Sequence, residues 1–169
     1  MKPWFHRSAL AAVFVFATSG FRALAEPCET PQHHQLDFWL GEWLDDASGE
    51  KNFYRVTKVA GGCGIEEVLI DGRDGSTVLG KGLSGYDTVA KVWHQQWVDS
   101  GGQVFEYTGE PEPGGGFVLK TSPDPNGEVR RYRYLNITQA RVEADYYASR
   151  DGGATWKFLW RGRFSRIDH

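Results

Sequence analysis

Cysteine is scarce in this chain: its 169 residues hold two, Cys28 and Cys63. Neither Cys-x-x-Cys nor Cys-x-x-Cys-His occurs, so thiol redox catalysis and covalent haem attachment have no motif. Histidine, with five residues, forms no metal-binding pattern either. His33 and His34 are adjacent and His94 and His169 are scattered, with no spacing such as His-x3-His. No metal and no cofactor is therefore expected. Gly-x-Ser-x-Gly and the P-loop are missing too, which removes the serine-hydrolase and P-loop signatures. Beyond the first residues no apolar stretch is long enough to cross a bilayer, so no membrane span is expected in the mature chain.

That first segment reads as an address. Lys2, His6 and Arg7 form a basic start, Ala9 to Thr18 is apolar, and Ala23-Leu24-Ala25 is a small-x-small cleavage signal before Glu26. Residues 1–25 are thus expected to be a signal peptide, with an N-terminal membrane anchor as the alternative. Pro27 stands where a lipoprotein acceptor needs a small residue before Cys28. Residues 26–169 then form one domain with a real core. Lys2, Arg7 and Arg22 leave with the segment, so the formal net charge moves from −3 to −6. An acidic surface argues against nucleic acid or an anionic membrane as partner. In a periplasmic or secreted protein an even pair of cysteines reads as a disulfide, Cys28 to Cys63, with two free thiols as the alternative. Closing that loop would stabilise by roughly 3–4 kcal/mol.

What the chain does have is aromatic residues and turns. Leu36-Asp37-Phe38-Trp39-Leu40-Gly41-Glu42-Trp43 starts as a helical turn, with Thr30-Pro31 as its N-cap and first helical residue. Leu36, Trp39 and Leu40 share one face at i, i+3, i+4 spacing. From Trp43 onward the apolar period becomes two, broken by Gly, Asp, Asn, Pro and Ser clusters. Strands are expected at 42–47, 51–59, 64–70, 76–85, 91–99, 103–110, 116–121, 128–137, 140–149 and 155–166. The links between them are hairpin-sized and leave no room for crossover helices. The expected fold is all-β: a ten-stranded antiparallel up-and-down barrel, closed to remove its edges, with a short N-terminal helical plug. No repeat of propeller or solenoid length is visible.

Ser149-Arg150-Asp151-Gly152-Gly153-Ala154-Thr155-Trp156 has the Asp-box form known from sialidase-like propellers. It occurs once, where a propeller would carry it in several blades. Asp151 is expected to staple a hairpin by accepting turn amides, with Trp156 packed beneath.

Alternation also assigns faces. Trp93, Gln95, Trp97 and Asp99 share one side of their strand, and two tryptophans are too costly to leave in water. The same reasoning turns Gln103, Phe105 and Tyr107 inward, then Tyr132 and Tyr134, then Val142, Ala144 and Tyr146, then Phe158, Trp160 and Phe164. Strand 51–59 is ambiguous, because Phe53 and Val59 oppose Tyr54 and Val56. An aromatic interior is either a packed core or a pocket. The polar Gln95, Asp99 and Gln103 on the apolar face favour a pocket, since unpaired in a dry core each would cost about 1–3 kcal/mol. The candidate ligand site is Trp93, Gln95, Trp97, Phe105, Tyr107 and Tyr132.

Gly41-Glu42-Trp43 after a plug and before a meander resembles the calycin group, which includes lipocalins and fatty-acid-binding proteins. Asp37 to Trp43, Trp93-His94-Gln95-Gln96-Trp97-Val98-Asp99 and Asp151 to Trp156 together look like a bacterial family of secreted, lipocalin-like proteins of unknown function. The likeness spans nearly all of residues 28–166. It implies a closed end where an arginine of the last strand lies across the first-strand Trp43; Arg166 takes that role by phase, with Arg163 second. A convincing Thr-Asp-Tyr loop motif is lacking, since Ala144-Asp145-Tyr146 falls inside an expected strand. Barrels that bind haem through a histidine near the C-terminal strands are not matched, because no strand after residue 110 contains one.

The leading expectation is an exported barrel that binds a small apolar or aromatic molecule without catalysis. The first alternative is a cofactor-free isomerase or cyclase using a lumen acid such as Asp99 or Glu67. Glu66 and Glu67 point to opposite faces and cannot form a dyad. The second alternative is a filled barrel that acts through its surface.

Overall fold

The structure, a computed structural model, describes residues 28–47, 49 and 51–167. The expected signal peptide at 1–25 and His169 lie outside them. Ten strands follow in order: β1 Gly41–Asp45, β2 Phe53–Val59, β3 Gly64–Ile70, β4 Val78–Asp87, β5 Val92–Asp99, β6 Val104–Glu112, β7 Gly116–Thr121, β8 Val129–Leu135, β9 Arg141–Ser149 and β10 Lys157–Arg166. Each strand pairs antiparallel with its neighbours in sequence, and β1 pairs with β10, so the sheet closes on itself. Closure satisfies both would-be edge strands. This is the expected architecture, and no strand bound is displaced by more than two residues.

The plug is tighter than expected. It consists of two short 3-10 turns, Pro31–His34 and Asp37–Trp39, rather than one α-helical turn. Thr30 does not cap the backbone with its side chain; its hydroxyl meets His33 Nδ1 at 2.7 Å. The tight turns still bury Leu36 and Trp39. Trp39 stacks on Trp43 with ring centroids 5.1 Å apart, and the Trp43 indole N–H donates to the Trp39 carbonyl at 2.7 Å.

Arg166 closes this end. Its guanidinium lies 4.1 Å from the Trp43 ring and donates to the carbonyls of Leu40 and Gln139, each at 2.7 Å. Cation–π attraction and charge-assisted hydrogen bonds both favour that pose. Gly41 makes room for it: its φ is +117°, and a Cβ there would sit 2.3 Å from Arg166 Nη1. Any other residue in the Gly-x-Trp motif would meet backbone strain and collision together.

Two further devices fix the chain. The Cys28–Cys63 disulfide ties the segment before the plug to the turn between β2 and β3. At the β9–β10 hairpin, Asp151 Oδ1 accepts from the Ser149 hydroxyl at 2.7 Å and the Thr155 amide at 2.9 Å, while its Oδ2 accepts from the Thr155 hydroxyl at 2.5 Å. The Arg131 guanidinium lies 4.2 Å from the Trp156 ring, covering the hairpin from the outside.

One face assignment is overturned. Phe158, expected inward, is half-exposed and packs edge-on against Tyr147. The β9–β10 register shifts between Phe158 and Trp160, so Leu159 is an extra residue in a bulge. A bulge inverts the phase of everything before it, which alternation alone cannot foresee. The ambiguous strand is settled by pairing. Tyr54 stands opposite inward Trp43, so Tyr54 and Val56 face the lumen.

Candidate functional site

Above the Trp39–Trp43 stack the interior opens into a cavity of about 250 Å³. Its rows follow from register. Glu67, Gly82, Trp97 and Phe105 stand in line across β3 to β6, and Ser84, Gln95, Tyr107 and Thr121 form the next line down. The Trp97 indole lies over glycines: a Cβ on Gly80 would be 2.4 Å from its ring. Without side chains at Gly80 and Gly82 the indole can lie flat along the wall.

Of the six expected site residues, Gln95, Trp97, Phe105, Tyr107 and Tyr132 line this one cavity, and Asp99 and Gln103 join them. Asp99 Oδ1 is committed to the turn, accepting the Gly101 and Gln103 amides at 2.9 Å each. Trp93 is the exception. It lies on the plug side of the lumen, fully buried against Tyr86 and Phe117, and its indole N–H donates to Gln35 Oε1 at 3.0 Å. It shares the inward phase but sits one row too deep, because alternation gives the face and not the height.

The sequence reading left other wall residues out of the site. Tyr54, Tyr134, Tyr146 and Trp160 line the cavity, and Trp39 forms its base. Arg130 lines it as well. Its phase with Tyr132 and Tyr134 was a usable signal, but an arginine in a strand is ordinarily assigned to solvent. Its guanidinium is paired with Glu128 at 2.5 Å and lies near the Phe105 and Tyr146 rings.

The chemically distinctive group is Glu67. Only 4 % exposed, it takes a hydrogen bond on Oε1 from Gln95 Nε2 at 2.7 Å. Loss of water pushes its carboxyl up to about 7, and the donors Trp39 and Gln95 pull only partly the other way. The Trp39 indole N–H itself does not reach full hydrogen-bond geometry with any described residue. No lysine, arginine or histidine among the described residues pairs with Glu67. Burial also pushes the phenols of Tyr54, Tyr107, Tyr132 and Tyr134 upward, so they stay neutral. The cavity is thus an aromatic chamber in which the Glu67 carboxyl is raised toward neutral pH. No group of three or more histidine, cysteine or acidic residues able to hold a metal occurs among the described residues.

One spacing has a misleading form. Gly80-Lys81-Gly82-Leu83-Ser84-Gly85 matches the dinucleotide-binding fingerprint, but it lies within β4 rather than between a strand and a helix. Without a helix N-terminus to meet a pyrophosphate, the spacing carries no such function here; Gly80 and Gly82 serve Trp97 instead.

Fold and chamber together define a closed antiparallel barrel with an internal cavity. No family model matches the chain, and no curated protein matches it.

Proposed function

We propose that this protein is an exported, lipocalin-like barrel that binds one small aromatic or apolar molecule in its lumen. The observation that carries the reading is the cavity of about 250 Å³, walled by aromatic rings and holding a few placed polar groups. That division of labour is usual in small-molecule sites: rings supply contact area, and Gln95 and Glu67 orient a polar group. The volume exceeds the ~150 Å³ apolar cavity that admits benzene, so a ligand of one or two rings fits. The disulfide supports an oxidising, exported setting. Among the described residues no helix is long and apolar enough to cross a membrane.

The test is titration with an apolar fluorescent probe. It should bind one to one and quench tryptophan emission, and Trp97→Ala and Gln95→Leu should weaken it while the fold stays intact. Saturable binding that both variants keep unchanged would move the site elsewhere.

A second reading has its own observation. Glu67 is a buried carboxyl, raised to about 7, at an open cavity, which is how a general base for proton abstraction is poised. In 5-nitrobenzisoxazole such a base takes the ring C–H proton as the N–O bond breaks, yielding a cyanophenolate. Turnover abolished by Glu67→Gln would favour the enzyme; none above that of free carboxylate would favour binding alone.

A further inference from the structure

We infer that the lumen's ligand carries an ammonium group, and that Glu67 is its counter-charge within an aromatic cage. The inference rests on the binding reading and narrows it to arylalkyl amines.

The first argument is the missing partner. Buried carboxylates in proteins are ordinarily paired with a cation. Glu67 is buried at the cavity wall and accepts a hydrogen bond from Gln95 that favours its anion, yet it has no cationic neighbour among the described residues. The protein provides Glu67 with the Gln95 hydrogen bond and leaves the positive charge to be supplied.

The second argument is what surrounds it. Trp39, Tyr54, Trp97, Tyr107 and Tyr132 line the same cavity. Ring faces attract ammonium groups, most strongly where water is excluded. Tyr54, Tyr107, Tyr132 and Tyr134 all remain neutral, so none of these phenols competes with Glu67 for its role as the anion.

The third argument is the remaining charge on the wall. An anionic ligand would need Arg130, but that guanidinium is already paired with Glu128 at 2.5 Å, a carboxylate it shares with Arg150. Asp99 lines the cavity as well and adds negative charge. The field on an entering molecule favours a cation.

The probes are 2-phenylethylamine, 2-phenylethanol and 3-phenylpropionate, which share a ring and differ in charge. Calorimetry at pH 7 should rank the amine first by more than about tenfold, the scale of a hydrogen bond to a charged group. An amine arriving protonated would force Glu67 to ionise. Since its carboxyl titrates at about 7, binding should release about half a proton, seen as different heats in buffers of different ionisation enthalpy. Glu67→Gln should remove the amine's advantage and keep alcohol binding, and the proton release on the unmodified protein stands even if that variant folds poorly. If the alcohol binds as tightly as the amine, or the propionate leads, the ammonium assignment is wrong while the cavity reading survives. If none of the three binds, both fall.

Discussion

Glu67→Gln should make the protein more stable at alkaline pH than the parent, although it removes a buried, hydrogen-bonded side chain. In the folded state the Glu67 carboxyl titrates at about 7, against about 4.5 as its ordinary value. Because the folded pKa is the higher one, the folded state holds more protons than the unfolded state between those values. Its contribution is therefore fully present below about pH 4.5 and is lost as pH rises through about 7. Each pKa unit corresponds to about 1.4 kcal/mol, so between pH 5 and pH 8 the parent should lose about 2–3 kcal/mol that the variant keeps. Glutamine retains the shape and can still accept from Gln95. The carboxylates held low by hydrogen bonds, such as Asp145 and Asp151, act in both proteins alike and cancel in the difference. Urea unfolding of both proteins at pH 5 and pH 8 reads the effect directly. A stability difference constant to within about 0.5 kcal/mol across that range, the level of an ordinary surface change, would refute the placement of Glu67 in a dry environment.

The remaining expectations concern the frame. Replacing Cys28 and Cys63 by serine should cost about 4 kcal/mol for a sequence separation of 35 residues, measured by denaturant unfolding under non-reducing conditions. Trp43→Ala should cost about 3–5 kcal/mol, since the side chain is wholly buried beneath Arg166. Arg166→Ala should also destabilise by exposing that face, and a change below about 0.5 kcal/mol for either would contradict the closed-end assignment. Asp151→Ala should lower the melting temperature and increase amide exchange at Gly153 and Thr155, whose N–H groups lie in that turn, without altering ligand affinity. An ultraviolet titration should find Tyr54, Tyr107, Tyr132 and Tyr134 silent at the usual phenol range, ionising only as the barrel unfolds at high pH.

Much of this molecule could be read before its structure. Period-2 alternation and turn chemistry located ten strands, because each signal is local and repeats in every hairpin. The inward face of β5 and β6 was legible for the same reason, and so were Gln95, Trp97, Phe105 and Tyr107 as wall residues. Heights along the barrel were not. Trp93 shares a face with Trp97, and its place on the plug side depends on where β5 meets β4 and on Gln35 reaching its indole. Phe158 was misplaced because one extra residue, Leu159, reverses a phase that the sequence alone presents as continuous. Glu67 was noticed as a lumen acid, but its lack of a cationic partner among the described residues is a property of the assembled walls. Arg130 shares the phase of Tyr132 and Tyr134 but was not named, because the face was assigned from its aromatic residues alone.

The central claim is that the lumen itself is the binding site, and indole N–H resonances test it residue by residue. Titrating 2-phenylethanol into isotope-labelled protein should shift the signals of Trp39, Trp97 and Trp160, which line the cavity. Trp93, buried on the plug side, and Trp156, under Arg131 on the outer face, should stay unchanged. Shifts confined to Trp156, or none at any soluble concentration of probe, would show that the chamber is not where this protein takes up its ligand.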